Sequence, residues 1–193
     1  MLRHEHVLFL RKFLRAPIQI GAVAPSSAGL AELITADIGL EQACSVVELG
    51  PGTGAFTGAI ERRLRPDVTL LAVEVDPVFA RTVQERFPRV RVVNGPAERL
   101  LDYLDGQAGT VDCIVSGLPW AIFPAHQQTC ILNAILAALR PGGWFNTFTY
   151  VQSAWARPGR RFRRLLEASF SSVTRTRVIW RNLPPAFVYR CRR

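Results

Sequence analysis

The sequence lacks several features that would each identify a particular class of protein. It contains no apolar run of the length that crosses a bilayer as a helix, about 20 residues, so no membrane span is predicted. It has no internal repeat, and its cysteines lack the spacing of metal ligands: Cys44, Cys113, Cys130 and Cys191. We therefore expect its 193 residues to form essentially one globular domain, with no metal and with reduced thiols, as in the cytoplasm.

Acidic residues are scarce relative to basic ones. The chain has 24 basic and 15 acidic residues, a formal charge of +9. From residue 151 to the end, eleven arginines accompany a single acid, Glu167. This balance predicts an anionic partner, either nucleic acid or an anionic membrane surface. The densest stretch, Arg157 to Arg164, suits phosphate groups, although a solvated helix face has the same composition.

A glycine-rich loop is the most informative motif. The stretch from Val46 to Thr57 reads V-V-E-L-G-P-G-T-G-A-F-T. Its apolar start predicts a buried parallel strand, and residues 55–64 predict a helix. Between them lie Gly50, Gly52 and Gly54, where a backbone without Cβ atoms can approach a ligand. Strand, glycine loop and helix in this order build the nucleotide site of an open α/β sheet.

Two acidic residues accompany this loop. Residues 68–75 read as the next strand, with Glu74 at its carboxyl end, 74 − 54 = 20 residues after Gly54. At this spacing an acid can accept hydrogen bonds from both hydroxyls of a ribose. Glu48 lies two residues before the first glycine, where it would repel a pyrophosphate.

The remaining pattern predicts an α/β fold with a seven-stranded, mostly parallel sheet and an antiparallel C-terminal hairpin. Further strands are expected at 90–93, 110–116, 144–150, 172–180 and 186–191. Helices are expected at 26–38, 77–86, 98–103, 125–139 and 165–170. Arg140 to Gly143 reads as a turn, and residues 182–185 link the last two strands.

The N-terminus predicts an amphipathic helix over residues 2–15, which Pro17 ends. One broad face is apolar and the other is cationic. This pattern is typical of a helix that lies in a lipid interface, and a helix packed on its own domain shows it too. The chain is accordingly divided into residues 1–16, the helix, and residues 17–193, the α/β domain.

The spacing G-x-G-x-G, with Glu48 before it, resembles motif I of the class I S-adenosylmethionine-dependent methyltransferases, which have a Rossmann-like fold. The resemblance implies S-adenosylmethionine as the cofactor, with Glu48 at its amino-acid end and Glu74 at its ribose. Adenine is expected after the third strand, and the loop before the first helix can fold over the cofactor. The implied cofactor-binding residues are Ser26, Glu48, Gly50, Gly52, Gly54, Glu74, Val75, Pro96, Ala97, Glu98 and Ser116.

The loop after the fourth strand reads Gly117-Leu118-Pro119-Trp120 and resembles the N-P-P-Y or N-L-P-Y loop of amino methyltransferases. In those enzymes the asparagine holds the target nitrogen and the aromatic ring stacks on a planar base. Glycine replaces the asparagine here, which counts against a base as the substrate. Aromatic faces bind cationic amines, and Tyr150 can also accept a hydrogen bond. The expected catalytic residues are Gly117, Leu118, Trp120 and Tyr150, with Phe123 and Tyr189 as further aromatic candidates.

Four segments together resemble the bacterial phospholipid N-methyltransferases, the soluble type that converts phosphatidylethanolamine towards phosphatidylcholine. They are G-A-V-A-P-S-S at 21–27, E-L-G-P-G-T-G at 48–54, S-G-L-P-W at 116–120 and N-L-P-P-A at 182–186. The resemblance spans nearly the whole chain. It implies a phospholipid substrate, an anionic membrane surface bound through residues 2–15 and Arg157 to Arg164, no nucleic acid, and a peripheral place on the inner face of the cell membrane.

Three alternatives stay open. The first is an rRNA adenine N6-dimethyltransferase, against which the glycine at 117 and the lack of an added helical RNA-binding domain both count. The second is an enzyme that methylates a small soluble amine or a quinone-like lipid. The third is a membrane-associated protein that binds the cofactor without catalysis. The sequence leaves the oligomeric state open.

Overall fold

The computed structural model describes residues 27–193, which form a seven-stranded sheet flanked by helices. The strands are β1 (Val46–Leu49), β2 (Leu70–Glu74), β3 (Arg91–Asn94), β4 (Val111–Ser116), β5 (Leu139–Tyr150), β6 (Ser172–Arg175) and β7 (Ala186–Arg192). The helices are α1 (Ala28–Thr35), α2 (Ala55–Glu61), α3 (Pro77–Arg86), α4 (Leu100–Tyr103), α5 (Ala125–Ala138), α6 (Val151–Trp155) and α7 (Arg157–Ser169). Two 3-10 turns, Ala97–Arg99 and Trp120–Ile122, precede α4 and α5.

The strands follow the order β3-β2-β1-β4-β5-β7-β6. The five strands from β3 to β5 run parallel to one another. β7 is antiparallel to both of its neighbours, β5 and β6. The predicted fold class, a Rossmann-like, mostly parallel sheet with an antiparallel C-terminal end, is confirmed for these residues.

Two predicted boundaries are wrong, and one short helix was not predicted. Arg140 to Gly143 is the irregular start of β5 rather than a turn, because Gly142 N donates to Arg193 O at 3.0 Å and pairing with β7 continues there. β6 ends at Arg175 rather than at residue 180, after which Ile179 makes an isolated bridge to Ala186. The five-residue helix α6 was not predicted, since it is too short to show a period.

Alternate residues of the parallel strands supply two apolar cores, one on each face of the sheet. On the face covered by α5 and α7, here called the α7 face, Val47 and Leu49 pack with Phe162. On the face covered by α1 and α2, here called the α1 face, Val46 packs with Ile34. Both sides of β1 and β2 are therefore buried, which explains why these strands read as almost continuous apolar runs.

The carboxyl ends of the parallel strands meet at one edge of the sheet, here called the carboxyl edge. The chain order reverses between β1 and β4, so the loops after these strands lie side by side at the crevice where such sheets bind ligands. Gly50 N donates to Val73 O at 2.9 Å, and Gly117 N donates to Leu49 O at 2.8 Å. These bonds carry the strand pairing into both loops and fix where the loops begin.

Residues 2–15 and Ser26 lie outside the described residues, so the N-terminal helix and the cofactor contact of Ser26 stay predictions. Across residues 27–193, none of the helices has the length and apolar character that crossing a bilayer requires.

Candidate active site

The glycine loop after β1 is closely packed on one side and open on the other. All three of its glycines have positive φ angles, 70° for Gly50, 56° for Gly52 and 87° for Gly54. A Cβ on Gly50 would lie 2.7 Å from Leu118 Cδ2, whereas a Cβ on Gly52 would meet nothing within 4 Å. The backbone at Gly52 is therefore the part of the loop that a ligand can approach.

Glu48 is a buried carboxyl group with one unpartnered oxygen. It is 0 % exposed, and its Oε2 accepts a hydrogen bond from Thr57 Oγ1 at 2.7 Å. Its Oε1 has no hydrogen-bond partner within residues 27–193. Burial raises the pKa of Glu48 to about 8. A cationic group satisfies such an oxygen, so the site fits the ammonium group of S-adenosylmethionine. Thr57 was not predicted, although it lies on the first turn of α2, directly after the glycine loop.

Glu74 ties the glycine loop to the end of β2. Its Oε2 accepts from Gly52 N at 3.0 Å, and its Oε1 accepts from Asp76 N at 2.9 Å. Burial raises the pKa of Glu74, and these backbone hydrogen bonds act in the opposite direction. Each carboxylate oxygen retains a further lone pair, so the predicted bond to a ribose is compatible with both contacts. Val75, the neighbouring residue, is half-buried at the same edge.

The predicted adenine segment begins directly beside Glu74. Gly95 N donates to Glu74 O at 3.0 Å, and Pro96 then caps the 3-10 turn. Ala97 is buried, and Glu98 Oε1 accepts from Gln127 Nε2 at 3.0 Å, which fixes the segment to α5. Their contact with adenine stays a prediction. Tyr103, which was not predicted, packs over this segment, and its Oη occupies the space that a Cβ on Gly95 would need.

The loop after β4 presses on the glycine loop through Gly117. A Cβ at this position would lie 2.4 Å from Gly50 O, a backbone atom that cannot move away without displacing the loop. This contact explains the glycine at the position where amino methyltransferases carry asparagine. Ser116 is buried, and its Oγ accepts from Leu118 N at 3.3 Å and from Trp120 Nε1 at 3.1 Å. The hydroxyl of Ser116 thus holds the loop, and its contact with the cofactor stays a prediction.

The predicted amine-binding ring, Trp120, is buried rather than exposed. It is 1 % exposed, and its ring stacks on Phe162 of α7 with centroids 4.3 Å apart and an interplanar angle of 14°. Phe123 and Phe145 approach it edge-on, each with a centroid distance of 6.1 Å. Tyr189 is likewise buried, against Phe187. The ring of Trp120 is therefore covered by its neighbours and has no exposed face for a cation. In this structure the ring anchors the loop after β4 to α7.

A pocket at the carboxyl edge brings the loop after β4 together with the end of β5. It is lined by Leu118, Pro119, Trp120, Ala121, Ile122, Phe148, Thr149, Tyr150 and Ser153. Tyr150 packs edge-on against Phe148, with centroids 5.3 Å apart, and burial raises the pKa of its hydroxyl. Its phenol is therefore neutral near pH 7 and can accept or donate a hydrogen bond. Within residues 27–193 no cluster of three His, Cys, Asp or Glu residues is arranged to hold a metal ion.

Binding of S-adenosylmethionine at pH 6.5 is expected to release up to about one proton from Glu48, because a bound ammonium lowers a pKa that burial had raised. Calorimetry in two buffers with different protonation enthalpies measures this release. Glu48→Gln keeps an oxygen for Thr57 and should abolish the release while weakening binding. Glu61→Gln, on the outer side of α2, is the control and should behave as the parental protein. Equal proton release in the parental and Glu48→Gln proteins would contradict the assignment.

Comparison with known proteins identifies relatives of this chain. Residues 46–143 match the protein family described as "Methyltransferase domain". The ornithine lipid N-methyltransferase of Singulisphaera acidiphila is 39% identical over 195 aligned residues, covering 97% of this chain and 96% of that protein. The ribosomal RNA small subunit methyltransferase A of Burkholderia cenocepacia is 43% identical over 60 residues only, 31% of this chain and 22% of that protein.

Solved structures share the fold. An O-methyltransferase from Bacillus cereus in complex with SAH (S-adenosylhomocysteine) superposes with a TM-score of 0.70 at 16% identity, covering 93% of this chain and 90% of that one. The O-methyltransferase TomG from Streptomyces achromogenes, in complex with SAM (S-adenosylmethionine), has a TM-score of 0.66 at 25% identity, covering 95% and 88%. The family model and the near full-length relative establish S-adenosylmethionine as the cofactor. The chain belongs to the class I S-adenosylmethionine-dependent methyltransferases, within the family of bacterial lipid N-methyltransferases.

Proposed function

We propose that the protein transfers methyl groups from S-adenosylmethionine to the amine of phosphatidylethanolamine and its partly methylated forms, towards phosphatidylcholine. The observation that carries this proposal is the contact between Gly117 and Gly50 O. The loop that grips a base nitrogen through asparagine in other amino methyltransferases has no room for that side chain here. An aliphatic amine does not need this asparagine hydrogen bond, because it has no planar ring with a fixed hydrogen-bonding edge.

A second aminolipid is also a candidate substrate. The relative from Singulisphaera acidiphila, which matches over nearly its whole length, is named for ornithine lipid. The ornithine head group and the ethanolamine head group both present a primary amine on a flexible chain. Since the reacting group is the same in both lipids, the choice between them rests on the parts of the head groups beyond the amine.

The residues of the site prepare an amine to act as a nucleophile. When bound, S-adenosylmethionine would supply an electrophilic methyl group, and Glu48, Glu74 and the glycine loop would hold it. An alkyl ammonium has an ordinary pKa of about 10.4, by analogy with lysine, and burial in the largely apolar pocket favours its neutral form. We assign Tyr150 Oη as the acceptor of a hydrogen bond from an N–H of the amine, which the unmethylated and monomethylated substrates both retain. The packed loop excludes water and aligns the nitrogen.

Substrate choice is tested by incubating the protein with methyl-labelled cofactor and separate acceptors. Mixed micelles of phosphatidylethanolamine should be labelled, and the monomethylated and dimethylated lipids should be labelled too. Undermethylated small ribosomal subunits and free ethanolamine should stay unlabelled. If ornithine lipid alone is labelled, ornithine lipid rather than phosphatidylethanolamine is the substrate. Labelling of ribosomal subunits would contradict the proposal.

Tyr150→Phe should lower turnover by about tenfold, the effect of losing one hydrogen bond to a charged or reacting group. Cofactor affinity should stay unchanged, since the glycine loop is untouched. Tyr189→Phe removes the same atom from a buried ring outside the pocket and serves as the control. If Tyr150→Phe and Tyr189→Phe methylate lipid equally fast, Tyr150 has no role at the amine.

We further propose that residues 2–15 bind an anionic membrane surface together with Arg157 to Arg164, which places the protein on the inner face of the cell membrane, peripheral and exposed to the cytoplasm. The substrate amine lies at the bilayer surface, so the enzyme must dock there. Removing residues 1–15 should lower co-sedimentation with phosphatidylglycerol vesicles strongly and leave cofactor binding intact. Equal sedimentation of the full and shortened chains would refute the anchor.

A further inference from the structure

Large apolar side chains are exposed at one part of the domain. In the part of the chain that the structure describes, Trp155 is 73% exposed, Trp180 is 71% exposed and Leu183 is 63% exposed. Folded proteins usually cover a tryptophan ring, because it buries a large apolar area. Exposed aromatic and apolar side chains grouped in one region mark a contact surface.

Trp155 lies at the carboxyl edge. It is the last residue of α6, which begins directly where β5 ends. Ser153, two residues earlier in the same helix, lines the pocket that contains Tyr150. Trp155 is therefore close to the pocket in sequence, two residues beyond its lining residue Ser153.

Trp180 and Leu183 lie at the same edge, in the segment 176–185 that leads into β7. Val151 N donates to Pro185 O at 2.9 Å, which joins this segment to the start of α6. Asn182, between the two exposed residues, is buried, and its side chain bonds to Ser27 N at 3.0 Å and to Pro184 O at 2.6 Å. The exposure of Trp180 and Leu183 is thus fixed by a segment that the fold holds in place.

A stripe of arginines completes this surface. Arg157, Arg160, Arg161 and Arg164 follow the i, i+3, i+4, i+7 spacing of one helix face, opposite the buried Phe162 and Leu166. None of the four has a carboxylate partner within residues 27–193, whereas Arg163 pairs with Glu167 at 2.8 Å. The stripe borders a cleft with Phe123 and Pro124, which follow the pocket-lining turn directly.

The two parts flank the pocket from opposite faces of the sheet. α7, with the arginine stripe, covers the α7 face through Phe162. The segment 176–185 contacts α1 on the other face, where Ile179 Cγ2 lies 3.7 Å from the position of a Cβ on Gly29. Both parts therefore lie next to the loops of the carboxyl edge that line the pocket.

We infer that Trp155, Trp180 and Leu183, together with the arginine stripe, form a membrane-docking rim of the folded domain, separate from residues 2–15. A lipid bilayer is the occupant because its interface takes up tryptophan rings and its anionic head groups attract arginine. The inference rests on the proposed function for the nature of this partner. When the rim contacts the bilayer, the pocket lies close to the head-group region that contains the lipid amine.

The first test locates the two tryptophans in the full-length protein. Vesicles of phosphatidylglycerol and phosphatidylcholine, with bromine on the acyl chains and no amine that can be methylated, should quench the tryptophan fluorescence. Trp155→Phe with Trp180→Phe should keep the fold and vesicle binding and lose most of the quenching. No quenching in the parental protein, or undiminished quenching in the variant, would overturn the rim. A wrong substrate assignment has no effect on this measurement.

The second test measures binding by the rim. Replacing Trp155, Trp180 and Leu183 by alanine should lower the partition coefficient for the same vesicles roughly tenfold or more, because each side chain withdraws apolar area from water. Val78→Ala, an exposed apolar residue of α3, is the control and should bind as the parental protein. Arg160→Ala with Arg164→Ala should reduce the salt dependence of binding more than Arg81→Ala with Arg91→Ala, which removes the same charge elsewhere.

Other occupants of the surface give different results. If residues 1–26 of the same chain cover it, the triple alanine variant melts at a lower temperature without vesicles and keeps its partition coefficient. If a second copy covers it, the parental protein is a dimer and the variant is a monomer. If an acidic protein or a nucleic acid is the partner, the partition coefficient is unchanged in both variants. Each of these outcomes overturns the rim.

Discussion

The contact between the backbones of Gly117 and Gly50 is the constraint on which the rest of the site depends. It joins the loops of β1 and β4 at the point where the strand order reverses. Leu118 then packs on the glycine loop, and Trp120 is held by Ser116 and stacked on α7. One chain of contacts consequently positions the glycine loop, the pocket that contains Tyr150, and α7 with its arginines.

Two buried carboxyl groups make this crevice suitable for a cation. Glu48 and Glu74 both lie within the folded core at the ends of neighbouring strands, and the charge of Glu74 contributes to the raised pKa of Glu48. A buried carboxylate with an unpartnered oxygen is unfavourable until a positive group arrives. S-adenosylmethionine has a net positive charge, and its ammonium group can compensate Glu48, whereas both acids would repel an anionic dinucleotide.

Much of the fold and part of the site could be predicted from the sequence. Continuous apolar runs indicated the parallel strands, and glycine spacing with two acids indicated the cofactor, because these depend on local pattern. The burial of Trp120 was not predictable, since it depends on Phe162, which lies 42 positions later in the sequence (162 − 120 = 42) and meets it only through α7. The roles of Thr57 and Tyr103 were not predicted for the same reason: tertiary packing, rather than sequence spacing, determines their partners.

The position of β7 has a consequence for how the protein forms during synthesis. The last strand of the chain lies between β5 and β6, and Asn182 bonds to Ser27, 155 residues away in sequence. Neither the β5–β6 side of the sheet nor the start of α1 can reach its final arrangement until β7 and the segment before it have left the ribosome. A nascent chain that stalls before Ala186 exposes unpaired edges on both β5 and β6, a state that chaperones must shield. The sheet is therefore completed only when β7 inserts between β5 and β6.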